Sequence, residues 1–320
     1  MVAPSTAPGQ RQSQDRGNRP PRVGVVVLNW RRPHEILACL ASIRAQDYPS
    51  YEIVVVDNGS ANGSMEEIRR SFPAVSVIEN GRNLGFAAGS NVGIDYLLRQ
   101  GVEYVLLLND DAICDSDVLR RLIELSEAEP GIGVLGPTIF YADDPGNIIW
   151  SAGGVIDRLG RVRHLRENEQ DDGPLLPAQD VAYVTGCALL IRRHVIETVG
   201  VLDERFFAYW EEVEWCARVR AAGFRVVHLP AARVWHGIRQ EDRETSRFYQ
   251  YLMTRNRLLY LECAGGRRAA IVLAGLDILR TSLSWSLKPR HRAMRPYSRT
   301  LLRAVWDFAF RRFGPPPVPA

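Results

Sequence analysis

Cysteine is scarce and its spacing is unpatterned. Cys39, Cys114, Cys187, Cys216 and Cys263 make an odd count of five with no C-x-x-C pair, which argues against a disulfide framework or a zinc site. An apolar leader is missing as well. Residues 1–22 are rich in Pro, Gln, Ser and Arg, so they read as a disordered leader and not a secretory signal, and a cytoplasmic protein is expected. The most apolar late stretch, Ala269 to Leu287, is broken by Asp277 and Arg280 and falls short of the ~20 clean residues that span a bilayer. No membrane-crossing helix is expected. No internal repeat and no strong linker divides the core. What remains is ordinary globular composition, 46% apolar and 24% charged over 320 residues, which excludes disorder and fibrous structure and suits one large domain or two modest ones.

Charge is unevenly placed. The formal net charge is +3, yet from Ala264 onward 11 basic residues face only Asp277 and Asp307, a net of +9. The preceding residues therefore carry −6, and the partner of the basic tail differs from whatever the body binds. Nothing in the pattern points to nucleic acid.

Val23 to Leu28, Tyr51 to Val56 and Tyr104 to Leu108 are continuous β-branched or aliphatic runs, the composition of strands buried on both faces. Helical patterns separate them at Pro33 to Gln46, Met65 to Ser71 and Phe86 to Arg99, with a short strand at Val75 to Glu79. This alternation predicts an α/β fold with a mainly parallel sheet. Beyond Ile132 the signals become those of an antiparallel or mixed extension: Ile132 to Tyr141, Asn147 to His164 and Tyr183 to Ile191. A helix is predicted over Glu211 to Ala222, strands over Phe224 to Leu229 and Val234 to His236, and a long helix over Glu241 to Cys263.

Ligands of open α/β sheets bind at the carboxyl ends of strands, and the residues there are polar. Asn29-Trp30-Arg31 follows the first strand, Asp57-Asn58-Gly59-Ser60 the second and Asn109-Asp110-Asp111 the third. The run Asn83 to Asn91, carrying Gly85 and Gly89, opens a helix whose free N–H groups suit a diphosphate. Asp57 to Ser60 equally suits a plain turn, and Asn83 a helix start. Adjacent acids after a buried strand raise each other's pKa unless a cation lies between them. Asp110 and Asp111 offer hard oxygen ligands for Mg²⁺ or Mn²⁺, against the alternative of acids at a helix start. His236, beside Trp235, is a second candidate ligand or an ordinary core histidine. Glu211 and Glu212 follow aromatic bulk, where desolvation raises a carboxylate toward general-base values, although a helix N-terminus pulls the other way.

These segments, in this order, resemble family 2 glycosyltransferases of the GT-A fold, and among them bacterial rhamnosyltransferases and galactofuranosyltransferases. The resemblance runs from about Val23 to Asn256 and includes Val-Leu-Asn-Trp-Arg at 27–31, Leu-Leu-Asn-Asp-Asp at 107–111, Phe-Phe-Ala-Tyr-Trp-Glu-Glu-Val-Glu at 206–214, Trp-His at 235–236 and Arg-Asn at 255–256. It implies a Rossmann-like, mixed but mainly parallel sheet over residues 23–263, with a nucleotide-binding half at 23–111, an acceptor half at 112–263 and a helical extension at 264–320. The implied reaction is inverting transfer of a sugar from a nucleoside diphosphate donor, such as dTDP-rhamnose or another dTDP- or UDP-sugar, to a glycan or lipid-linked acceptor. Asn29, Asp57, Asn83, Gly85, Gly89, Asn109 and Asp110 would contact the donor. Asp111 and His236 would hold Mn²⁺ or Mg²⁺, Glu212 with Glu211 would supply the base, and Trp210 and Gly186 would meet the acceptor. Asn109 stands where the family carries its first acid, and Glu212 is one methylene longer than the usual Asp.

The tail, Arg267 to Leu287 and Thr300 to Phe313, mixes arginine with aliphatic and aromatic residues. That composition suits a basic amphipathic helix on an anionic membrane surface, or a helix that caps the domain with a solvated basic face. A nicotinamide-dependent oxidoreductase fits poorly, because no G-x-G-x-x-G follows the first strand. A membrane-associated scaffold on a degenerate glycosyltransferase core is the other alternative, suggested by Asn109.

Overall fold

β1 (Val23–Asn29) pairs in parallel with β2 (Tyr51–Asp57) on one side and β4 (Tyr104–Asn109) on the other, and β2 pairs in parallel with β3 (Ser76–Glu79). The computed structural model describes residues 19–144, 146–237, 246–265 and 268–317; most of the leader lies outside them. Alternate β1 side chains leave in opposite directions. Val23, Val25 and Val27 join one apolar core with α1 (Glu35–Arg44), α2 (Ser64–Ser71) and α4 (Val118–Ala128), while Val26 joins a second core with α3 (Gly85–Arg99). Burying such a side chain is worth about 1.5–3 kcal/mol, which is why a continuous valine run settles in the middle of the sheet.

The sheet changes direction after β4. The strand β11 (Ala188–Arg192) lies antiparallel between β4 and β6 (Ile132–Tyr141), and β12 (Arg225–His236) runs parallel to β6. With β10 (Gln179–Asp180), β5 (Ala112–Cys114) and β7 (Ile149–Ser151), ten strands form one mixed sheet, ordered β10-β12-β6-β11-β4-β1-β2-β3 along its main path. A separate hairpin joins β8 (Gly154–Ile156) to β9 (Val162–His164). Two expected strands, Phe224 to Leu229 and Val234 to His236, are one: β12 crosses a register shift between Leu229 and Arg233, at Pro230, which has no N–H to give the ladder. The strand expected from Tyr183 begins only at Ala188, because Thr185-Gly186-Cys187 turns along the cleft instead.

Helices α5 (Arg193–Val199), α6 (Glu211–Ala221) and α7 (Arg247–Cys263) follow. The helix expected from Glu241 begins at Arg247, where Ser246 caps it by accepting from Tyr249 N at 3.4 Å; residues 241–245, Arg243 among them, lie outside the described residues. The tail forms α8 (Arg268–Leu287), a short 3₁₀ turn at Pro289–Met294, and α9 (Arg295–Ala309). It packs on the body. Tyr251 of α7 donates to the buried Asp307 at 2.9 Å, and Asp277 accepts from Arg161 at 2.7 Å and Arg257 at 3.2 Å. One side of α8 remains apolar and exposed: Val272, Leu273, Leu276, Leu279, Leu283 and Leu287. By length and the mean hydropathy of its most apolar window, 1.3, α8 is long and apolar enough to cross a membrane, which the run count did not anticipate; Asp277 within it pairs with Arg161 and Arg257 of the body.

Candidate active site

The antiparallel pairing of β12 with β5 sets His236 opposite Ala112, beside the turn that ends β4. His236 and Asp111 are buried, with His236 Nε2 3.0 Å from Asp111 Oδ1 and from Asn109 Nδ2. Trp150 packs its ring 5.1 Å from the imidazole. Asp110 accepts from the Trp30 backbone N–H at 3.2 Å, and burial pushes its carboxyl up to about 7 against the opposing pull of Arg32. Arg32, half exposed, donates to Asp111 and lies 3.7 Å from Asp110. Its guanidinium is the positive charge that offsets the buried acids, a role the sequence reading did not assign although Arg32 follows Asn29-Trp30-Arg31 directly.

Across the same cavity of about 470 Å³ lie Glu211 and Glu212, together with Gly186, Phe86, Tyr209 and Tyr249. The loop before α6 holds Phe207, Tyr209 and Trp210 at φ of 67°, 64° and 78°, left-handed values costly for bulky side chains. Three contacts from one amide hold it there. Asn256 Nδ2 donates to the carbonyls of Phe206, Ala208 and Tyr209 at 2.8–2.9 Å. Arg255, fully buried, donates to Phe206 O and, from the other side, to Gly314 O, while Gly314 N donates to Arg205 O. The Arg-Asn pair thus braces the loop that aims the two carboxylates, a function its sequence position did not reveal. Burial, and then the charge of Glu212, push the Glu211 carboxyl well up, and its Oε2 has no hydrogen-bond partner among the described residues. Glu212 is half-buried and faces the cleft beside Gly186.

Asn256→Ala should leave the carbonyls of Ala208 and Tyr209 without their side-chain donor, and that of Phe206 with Arg255 as its one side-chain donor. We expect a loss of about 1–3 kcal/mol in stability, read from the urea midpoint, with kcat for sugar transfer falling more than donor KM rises. Wild-type stability and turnover would show that the left-handed loop holds its shape unaided.

On the opposite side of the cleft the expected donor contacts divide. Asn83, Gly85, Asn109 and Asp110 line it. Gly85 is required there: at φ +85° a Cβ would sit 2.5 Å from Phe207 O. Asn29, Asp57 and Gly89 do not line it. Asp57 accepts from Gly59 N, Ser60 N and Asn29 Nδ2 at 3.0–3.2 Å, so it closes the turn that follows β2, the alternative open for residues 57–60 from the sequence, and Asn29 at the end of β1 is tied to that turn. Gly89 is a packing position, where a Cβ would meet Leu28 at 2.6 Å. Asn58, not assigned from the sequence, lines the cavity and donates to Asn83 Oδ1 and Gly85 O, both at 3.0 Å. Trp210 also departs from expectation: it is buried, with its ring against Tyr260 at 5.2 Å and away from the cleft.

Comparison with known proteins decides the family. The family model described as glycosyl transferase family 2 matches residues 24–200, which is more than half the chain. The chain belongs to glycosyl transferase family 2. Among its relatives, N-acetylglucosaminyl-diphospho-decaprenol L-rhamnosyltransferase of Mycobacterium tuberculosis is 28% identical over 66% of this chain and 75% of that protein. Galactofuranosyltransferase GlfT1 of the same organism is 30% identical over 63% and 65%. An uncharacterized protein of Sinorhizobium fredii is 27% identical over 68% of this chain, which spans only 24% of that longer protein. The fold is that of GT-A glycosyltransferases. The mannosyltransferase PcManGT of Pyrobaculum calidifontis, solved with GDP-Man and Mn²⁺, superposes with a TM-score of 0.55 at 16% identity, covering 95% of this chain and 93% of that one.

Proposed function

We propose that this family 2 glycosyltransferase is a metal-dependent, inverting enzyme that moves a hexose such as rhamnose from a dTDP- or UDP-sugar to a hydroxyl of a lipid-linked or glycan acceptor in cell-envelope glycan synthesis, at the cytoplasmic face of the membrane. One observation carries the reading: Asp110, Asp111 and His236 share a single cleft with Glu211 and Glu212. The relatives named for rhamnosyl and galactofuranosyl transfer support the donor class.

No group of three or more His, Cys, Asp and Glu side chains that could hold a metal occurs among the described residues. Two protein ligands completed by substrate phosphates are nonetheless an ordinary set for Mg²⁺ or Mn²⁺, and Asp111 with His236 fits it: a buried carboxylate oxygen and an imidazole nitrogen stand 3.0 Å apart, with the Arg32 guanidinium beside Asp111. Bound there, a divalent ion neutralises charge on the departing diphosphate. The chain's own groups do the rest. Asn109 orients the His236 ring, Asn83 and the Gly85 backbone border the nucleotide, and Glu212 takes the proton of the acceptor hydroxyl as its oxygen attacks the anomeric carbon. Burial favours the protonated form of Glu211, which limits the negative charge beside that base.

The test is direct. The purified protein, given dTDP-rhamnose or UDP-galactofuranose with Mn²⁺ and a polyprenyl diphosphate-linked sugar, should release nucleoside diphosphate and a lipid product one sugar heavier. Neither binding nor turnover of any nucleotide sugar would leave the scaffold reading in its place.

A further inference from the structure

A second cavity, of about 550 Å³, opens where α7, α8 and α9 meet. Arg247, Arg295 and Arg299 line it with Ser286, Ser298 and Thr300. No acidic side chain lines it, and none of the three arginines pairs with a carboxylate among the described residues. Elsewhere in the tail Arg280 pairs with Asp277, Arg303 and Arg312 with Asp307, and Arg311 with Glu262, while Arg268, Lys288, Arg290 and Arg292 make no such pair among the described residues; what sets Arg247, Arg295 and Arg299 apart is that they line one cavity. Thr300 is more than nine-tenths buried on the cavity wall, and no hydrogen bond from its hydroxyl reaches another described residue. Arg247, Arg295 and Arg299 are exposed residues gathered at one cavity; like charges collected there favour an anion among them, and the planar donor fork of arginine matches phosphate oxygens. Helix α9 starts here without a side-chain cap, so its dipole adds to the same preference.

We infer that this crevice is a phosphate site that receives the phosphate or diphosphate group of a membrane lipid beside the acceptor side of the catalytic cleft. Two placements argue for a lipid source. Ser246, Phe248 and Tyr249 line the catalytic cleft while Arg247 lines the crevice, so one turn of chain serves both cavities. The exposed apolar side of α8 ends at Leu283 and Leu287, which bracket Ser286 of the crevice. A headgroup held by the arginines therefore lies level with a surface suited to acyl chains. The anion site stands on its own geometry; its assignment to a lipid-linked acceptor rests on the proposed function.

The experiment compares full-length wild type with Arg295→Gln/Arg299→Gln by flotation on neutral phosphatidylcholine vesicles, on the same vesicles with phosphatidylglycerol, and on the same with polyprenyl diphosphate. Thermal unfolding with inorganic pyrophosphate is a fourth arm, and binding of a nucleotide sugar in the catalytic cleft is the control. Wild type should partition onto polyprenyl diphosphate vesicles on the order of tenfold more strongly than onto neutral ones, and the double variant should lose that preference with nucleotide-sugar binding intact. An arginine-dependent preference for phosphatidylglycerol alone keeps the membrane phosphate site and assigns it to bulk headgroups. Protection by pyrophosphate with no vesicle preference overturns the lipid source. Identical behaviour of the two proteins in every arm overturns the site. Should the double variant also lose nucleotide-sugar binding, the exposed single change Arg247→Gln is judged by the same four arms. Wild type that binds no nucleotide sugar defeats the proposed function and leaves these readings unaffected.

Discussion

Glu212→Gln should bind donor nearly as wild type does and turn over about 10²-fold or more slowly, because the change removes a proton acceptor and keeps the shape of the side chain. Single-turnover kinetics beside calorimetric donor binding would separate the two quantities. Glu211→Gln should be much milder. Its carboxyl is buried and pushed well up by that burial and by the neighbouring Glu212 charge, which favours the protonated form that the neutral amide resembles. The converse pattern, a dead Glu211 variant and an active Glu212 one, would move the base by one residue and require Glu211 to lose its proton inside the cleft.

Chelation should abolish turnover, and Asp111→Ala and His236→Ala should each weaken Mn²⁺-dependent donor binding. The loss should exceed the ~10–100-fold that removal of an outer-shell metal partner costs, while donor binding measured without metal changes little in either variant. Asp111→Ala also frees Arg32 from its carboxylate, so metal-free binding of the anionic nucleotide should if anything strengthen. Full activity in excess chelator, with no ion detected in the protein, would make His236 a structural histidine packed on Trp150.

How far these features were legible in the sequence depended on what fixed them. The central strands were readable because only a strand buried on both faces tolerates runs such as Val23 to Leu28. The acid turn and His236 were readable because strand ends carry the ligands of such sheets. Roles set by long-range partners were not. Asp57 and Asn58 are adjacent and both polar, yet one closes a turn and the other lines the cleft, a difference decided by Gly59 and Asn83. Trp210 looked like an acceptor platform, but its left-handed backbone sends the ring into the core against Tyr260. The basic tail packs on the domain through Tyr251 and Asp307, and its other side leaves apolar and arginine-lined surface open, a division that composition alone did not reveal.

The bonds that Gly314 makes with Arg205 and Arg255 bear on the order in which the protein becomes an enzyme. Chains are made and begin to fold from the N-terminal end, so the sheet, the acid turn and the nucleotide side of the cleft can form while the tail is still unmade. The loop bearing Glu211 and Glu212 cannot be fully braced until residue 314 has emerged. A nascent chain halted before that point should therefore hold a nucleotide sugar without passing the sugar on, the ability to transfer arriving only after the nucleotide side of the cleft is complete.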